Sequence, residues 1–178
     1  LCNDLSNLLN RTVSMVNKYF QGKVDGYTGC INEVDKELED YCQLQINKFD
    51  VLIDNFEIAN SLQEIWNLIS RTNKYIDETS PWVLAKNEET EKLKSCIYHL
   101  IENLRKIAIL IKPFMDETAD NILNQIGIKD ESLKTWESLK YYDKIENVKV
   151  IEKGEPIFMR LNPEEEIEYL KNTMNQKK

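Results

Sequence analysis

Leu5, Leu8, Leu9, Thr12, Val13, Val16, Tyr19 and Phe20 recur at the three-to-four-residue spacing of one helical face. Asn3, Asn7, Asn10, Arg11, Ser14, Asn17 and Lys18 fill the other side, so the pattern predicts an amphipathic helix that packs on one face. Gly22, Gly26 and Gly29 then crowd together, and their backbone freedom predicts a turn region. A second helix is expected over roughly 32–53, with Val34, Leu38, Tyr41, Cys42, Gln45, Phe49, Leu52 and Ile53 as its apolar stripe. Asp54-Asn55-Phe56-Glu57 places an acceptor side chain three residues before a Glu, which predicts a capping box opening a third helix. Its stripe is Ala59, Leu62, Ile65, Trp66, Ile69 and Ile76; it should end near Glu78, because Pro81 forbids continuation.

Asn87-Glu88-Glu89 offers a cap followed by acids where a helix dipole favours them. Leu93, Ile97, Leu100, Ile101, Leu104, Ala108 and Ile111 continue as a fourth helix, and 107–111 is apolar on nearly every side. That half should be the most buried part of the protein. Pro113 ends it, and Met115, Ala119, Ile122, Leu123 and Ile126 trace a fifth helix closed by Gly127. The expected class is all-α: a five-helix bundle over 1–127, followed by a tail over 128–178. In that tail Val148-Lys149-Val150-Ile151 and Ile157-Phe158 flank Glu152-Lys153-Gly154-Glu155-Pro156 and read as a short strand pair or extended hairpin. Asn162-Pro163-Glu164-Glu165 opens a short final helix, with Lys177 and Lys178 at the end of the chain. This helix is expected to be polar and frayed, and to pack on the bundle.

Composition narrows the function classes. Lys and Arg total 23 against 31 Asp and Glu, a net charge of -8, which opposes nonspecific coating of a polyanion. It leaves room for a site that reads a few splayed bases by stacking and hydrogen bonding, since those interactions are local. No apolar run approaches the roughly 20 residues of a membrane span. Cys2, Cys30, Cys42 and Cys96 stand singly, with His99 as their one histidine companion, so the spacing offers no zinc site and reads as reduced thiols in the cytoplasm. The chain opens at Leu1 inside a helical pattern and reads as a fragment of something longer.

Gly-rich phosphate loops, G-x-S-x-G and H-E-x-x-H are all missing, so no catalytic and no metal-ligating residue is assigned. His99 falls opposite the stripe of Ile97, Leu100 and Leu104 and reads as a solvated surface histidine. Trp66 and Trp136 read as packing residues. Trp82 differs, because it follows Pro81 directly at the break between two long helical patterns. On the first helix Asn7 and Arg11 lie about 40° apart and can address one object. An aromatic plane, an amide and a guanidinium fork suit an unstacked base, so single-stranded RNA recognition is the reading these residues favour.

Taken in order, Asp4-Leu5-Ser6-Asn7-Leu8-Leu9-Asn10-Arg11-Thr12, Leu68-Ile69-Ser70-Arg71-Thr72-Asn73-Lys74-Tyr75, Pro81-Trp82-Val83-Leu84-Ala85-Lys86 and Lys112-Pro113-Phe114-Met115 resemble the anticodon-binding domain of methionyl-tRNA synthetases. Lys153-Gly154-Glu155-Pro156-Ile157-Phe158 with Arg160-Leu161 resembles the segment that bacterial members carry after the bundle, although Met159 stands where many relatives have proline. The resemblance implies a class I ligase whose N-terminal catalytic domain uses ATP and Mg to join methionine to its tRNA, while this bundle grips the CAU anticodon. It also implies that Trp82 stacks on an anticodon base, that Asn7 and Arg11 contact base edges, and that Pro81 fixes the tryptophan backbone. The family's His-Ile-Gly-His-like and Lys-Met-Ser-Lys-Ser-like signatures and its cysteine-rich zinc insertion are missing. The fragment is therefore expected to bind anticodon without catalysing and without a cofactor of its own. Two other readings remain at this level: an anticodon module of a related class I synthetase, and a helical bundle that binds protein rather than RNA.

Overall fold

The computed structural model describes residues 2–158 and 162–175. A π-helical turn, Cys2–Ser6, leads into α1, Asn7–Phe20. After β1, Lys23–Val24, come α2, Glu33–Asp54, and α3, Ile58–Thr79. A short helix α4, Pro81–Lys86, precedes α5, Thr90–Ile111, and α6, Asp116–Gln125. Two 3-10 turns, Glu131–Lys134 and Trp136–Lys140, lead to β2, Val148–Lys149, and then to α7, Pro163–Asn175. The all-α class and the five long helices are as expected.

Several boundaries differ, each for a local physical reason. Asp54 is the last residue of α2 rather than a cap, and the chain turns through Phe56 at φ 60° before α3 begins. The capping box sits instead at the start of α2, where the Asp35 carboxylate accepts from the backbone N–H of Asn32 at 3.1 Å and of Ile31 at 3.0 Å. Pro81 does stop α3, but its fixed φ suits the first position of a new helix, so the segment behind it coils into α4. The strand pair also forms differently. Val148 and Lys149 pair antiparallel with Val24 and Lys23, not with Ile157-Phe158, because the turn after α1 presents an open edge beside them.

α5 is the axis of the molecule. It packs against α1, α2, α3, α4, α6 and β1, and every side chain from Ser95 to Ile111 is buried. The most buried region thus begins three turns before the expected apolar run. Its polar flank is sealed by the chain after Gly127, whose Ile128, Leu133, Leu139, Ile145 and Val150 join the same core as the helices. Gly127 makes that crossing possible: it holds φ +78°, and a Cβ there would lie 2.1 Å from the Lys149 carbonyl oxygen. Farther along, Asn17 donates to the Ile151 carbonyl at 2.8 Å. Gln125 and Glu155 exchange hydrogen bonds at 2.8 and 3.0 Å. Gly154 passes so close to α1 that a Cβ would meet Asn10 Oδ1 at 2.6 Å.

On α7 the apolar Ile167, Tyr169, Leu170 and Met174 are exposed, so this helix does not bury its stripe against the bundle. Met159, Arg160, Leu161, Lys177 and Lys178, which the expectations for the tail included, lie outside the described residues.

Candidate nucleic-acid interface

Ser80 builds the corner between α3 and α4. It adopts a left-handed conformation, φ 46° and ψ 63°, and its N–H caps α3 by donating to the Ile76 carbonyl at 3.0 Å. Its hydroxyl donates to the Asp77 carbonyl at 2.9 Å. Pro81 follows, buried, and Trp82 emerges 48% exposed, with Val83 exposed beside it. A buried proline under an outward tryptophan fixes the indole's point of attachment while leaving much of its surface to solvent. Trp66 contrasts with it, half-buried against the core; Trp136 is 41% exposed, a value near that of Trp82, but one of its faces packs on Phe49 with ring centroids 5.6 Å apart.

α1 reaches the same corner. Its buried face is Leu8, Leu9, Thr12, Val13 and Val16, which leaves Asn7 exposed and Arg11 half-buried on the outer side. Arg11 Nη2 lies 3.1 Å from Asp77 Oδ1, four residues before Pro81. The Arg11 and Asp77 side chains are 40% and 68% exposed, so the pair contributes at most about 1 kcal/mol and yields readily to another partner for the guanidinium. Behind α4 an open depression of about 440 Å³ is lined by Tyr19, Phe20, Leu84, Ala85, Glu88, Thr90 and Leu93. The structure therefore ties Arg11 to the Trp82 corner through Asp77, sets Asn7 one turn away on the same helix, and joins neither side chain to the indole by a hydrogen bond among the described residues.

A second polar assembly lies inside the molecule, and periodicity missed it. His99 is not a surface residue: it is fully buried. Its Nδ1 lies 2.7 Å from the Ser95 carbonyl, which can only accept, so Nδ1 carries a proton. Its Nε2 lies 3.0 Å from Glu39 Oε1. Tyr27 also donates to Glu39 Oε1, at 2.7 Å. Burial works against the Glu39 charge, but the bonds from His99 and Tyr27 outweigh it and hold the carboxyl down at about 2. Asp35, also buried, accepts from Tyr75 at 2.6 Å and Ser95 at 2.8 Å. Against its desolvation, these donors keep it below the usual carboxylate range.

One turn farther along α5, Arg105 donates to Glu102 at 2.5 and 2.9 Å, to the Leu133 carbonyl at 2.6 Å and to Ser138 Oγ at 2.7 Å. Burial pushes the Glu102 carboxyl up while the Arg105 fork opposes it. Lys106 sits 3.6 Å from the centre of the Tyr142 ring, and its burial lowers the ammonium's affinity for its proton. The signal for this assembly was a run of polar residues on the helix that also carries the longest apolar segment. Such a helix is buried on all sides, and its polar groups then need partners.

Comparison with known proteins follows the same lines. The family model described as the anticodon binding domain of methionyl tRNA ligase matches residues 26–177; Pro81 and Trp82 fall inside that span, and Asn7 and Arg11 precede it. The methionine–tRNA ligase of Bacillus subtilis (strain 168) is 48% identical over 175 residues, 98% of this chain and 26% of the relative. That of Listeria innocua is 46% identical over 176 residues, with the same coverage of both. Among solved structures, the apo form of Mycobacterium tuberculosis methionyl-tRNA synthetase superposes with a TM-score of 0.82 at 26% identity, over 92% of this chain and 33% of that one. The same enzyme in complex with methionyl-adenylate gives 0.79 at 26% identity, over 90% of this chain and 31% of that one. The chain thus spans about a quarter of the length of the curated relatives it matches. By the matched span and by these identities, the chain belongs to the family of methionyl-tRNA ligase anticodon-binding domains.

Proposed function

We propose that this chain is the anticodon-reading part of a methionine–tRNA ligase and that it holds the CAU loop of methionine tRNA at the α3–α4 corner. The observation that carries the reading is Trp82, half-exposed directly behind buried Pro81 at the corner to which Asp77 tethers Arg11 of α1. In this reading the indole stacks on one base, Arg11 leaves Asp77 for a base edge, and Asn7 contributes its amide one turn away. Stacking supplies affinity without regard to net charge, which reconciles an RNA ligand with a chain of net charge -8. Residues 1–127 form the reading bundle, and residues 128–178 form a tail, of which Ile128, Leu133, Leu139, Ile145 and Val150 pack into the core of that bundle.

In that parent a separate N-terminal domain carries out the ligation with ATP and Mg, in the cytoplasm, and this segment supplies no catalytic residue. Among the described residues no helix is long and apolar enough to cross a membrane. The test is a fluorescence titration of the chain with a methionine anticodon stem-loop. The loop should quench tryptophan emission, and Trp82→Ala should weaken binding by about 1–3 kcal/mol, the value of one base–aromatic stack. Equal affinity in the two proteins would remove the basis of the proposal. Stem-loops changed at single anticodon bases separate a methionine reader from a related class I module.

A further inference from the structure

Cys30, Glu39 and His99 come from three parts of the fold: the crossing between β1 and α2, the second turn of α2, and the middle of α5. Their donor atoms nevertheless lie within 4.8 Å of one another. A zinc ion bonded at about 2.3 Å to sulfur and about 2.0–2.2 Å to nitrogen or oxygen needs donors separated by roughly 3.3–3.8 Å, so closure requires the Cys30 side chain to move in and the His99–Glu39 pair, now at 3.0 Å, to open slightly. The orientation of the imidazole is already that of a ligand. Because Nδ1–H is spent on the Ser95 carbonyl at 2.7 Å, Nε2 is the nitrogen that faces Glu39 Oε1 at 3.0 Å, where it donates when protonated and offers its lone pair when a cation takes the proton's place. Two acceptors at that distance need a positive centre between them, either a second proton or a cation.

The outer partners also match a metal centre, where a histidine's far nitrogen donates to a carbonyl and a ligating carboxylate is itself hydrogen-bonded. Tyr27 donates to Glu39 Oε1 at 2.7 Å, the same oxygen that faces His99 Nε2. Tyr27 also lies 3.7 Å from Cys30 Sγ. One thiolate, one carboxylate and one neutral imidazole carry two negative charges, so a divalent ion leaves the pocket neutral.

We propose that Cys30, Glu39 and His99 form a binding site for a divalent cation of the zinc type, closed by a water in the fourth position. Binding releases two protons to solvent as the metal bonds form, the Cys30 thiol proton and the one that otherwise lies between His99 Nε2 and Glu39 Oε1, with no change of oxidation state. The ion pins the β1–α2 crossing to α2 and α5, and so acts on the architecture of the domain. A soft-to-borderline donor set of this kind favours zinc over magnesium or calcium.

The test uses the 178-residue chain, metal-free and kept reduced by a phosphine, titrated with Co2+ as the spectroscopic probe. One equivalent should produce a thiolate-to-cobalt charge-transfer band in the near ultraviolet with tetrahedral d–d bands, and Zn2+ should bleach both. Cys30→Ser should abolish the charge-transfer band with its circular dichroism unchanged. Glu39→Gln should weaken Co2+ binding by more than the roughly 10–100-fold that loss of an outer partner costs. In thermal melts Zn2+ should raise the midpoint of the unsubstituted chain and not that of Cys30→Ser. A chain that gives no band at stoichiometric Co2+, or a band that survives in Cys30→Ser, overturns the proposal and assigns the Nε2–Glu39 contact to a proton.

Discussion

Two arginine–carboxylate pairs in this domain share a chemistry and differ in surroundings. Arg11 and Asp77 meet at 3.1 Å with side chains 40% and 68% exposed; Arg105 and Glu102 meet at 2.5 Å with both fully buried. At the surface, water competes for both partners and the pair is worth at most about 1 kcal/mol. Inside, each ion has already lost its water, and removing one leaves the other uncompensated. The outer pair is exchangeable, as the proposed transfer of the guanidinium to a base edge requires. The inner pair is architecture: Arg105 also satisfies the Leu133 carbonyl and Ser138, and so fastens the tail to α5.

The sharpest way to break this contrast is Arg105→Met. It leaves the buried Glu102 with only Lys106, 3.9 Å away, for compensation, and should cost about 3–5 kcal/mol in urea unfolding while the folded fraction keeps its affinity for an anticodon loop. A small loss would mean that water reaches the interior and that the two pairs are alike.

Acid should reveal the inner assembly next. Glu39 and Asp35 hold their protons less tightly when folded than when unfolded. Their contribution is therefore present above the unfolded value near 4 and lost as pH falls through the folded one, about 2 for Glu39. Thermal midpoints measured with a chelator present should fall steeply over that window, and Glu39→Gln should flatten the dependence.

At the corner, Trp82→Ala should lower stability by less than about 1 kcal/mol, in keeping with a half-exposed side chain. The loss of RNA binding should be larger, which separates a reading residue from a packing one. The smallest effect belongs to Asp77→Ala. Stability should change by about 0.2–1 kcal/mol, and loop affinity should rise a few-fold because Arg11 is freed and one negative charge is gone. Weaker loop binding in that variant would show that Asp77 positions the guanidinium instead of competing for it.

Local chemistry was legible along much of the chain. Pro81, Gly127 and Pro113 end helices where their backbone restrictions or freedoms require. The exposed corner could be named residue by residue because a tryptophan behind a helix-breaking proline has few core roles. His99, Asp35, Glu39 and Glu102 were not legible in this way. Each occupies a helical position that periodicity assigns to solvent, and each is buried, or in the case of Glu39 half-buried, because another segment, distant in sequence, closes over it.

By itself the sequence determined the helical class, the long helices and the residue types at the α3–α4 corner, since all of these follow from spacing and backbone restriction over a few neighbouring positions. Tertiary structure alone decided that α5 is buried all round, that β2 pairs with β1, and that Cys30, Glu39 and His99 share one pocket. Burial and long-range pairing depend on which remote segment fills the space beside a side chain. The period of a helix cannot register that, because it reports only which residues share a face.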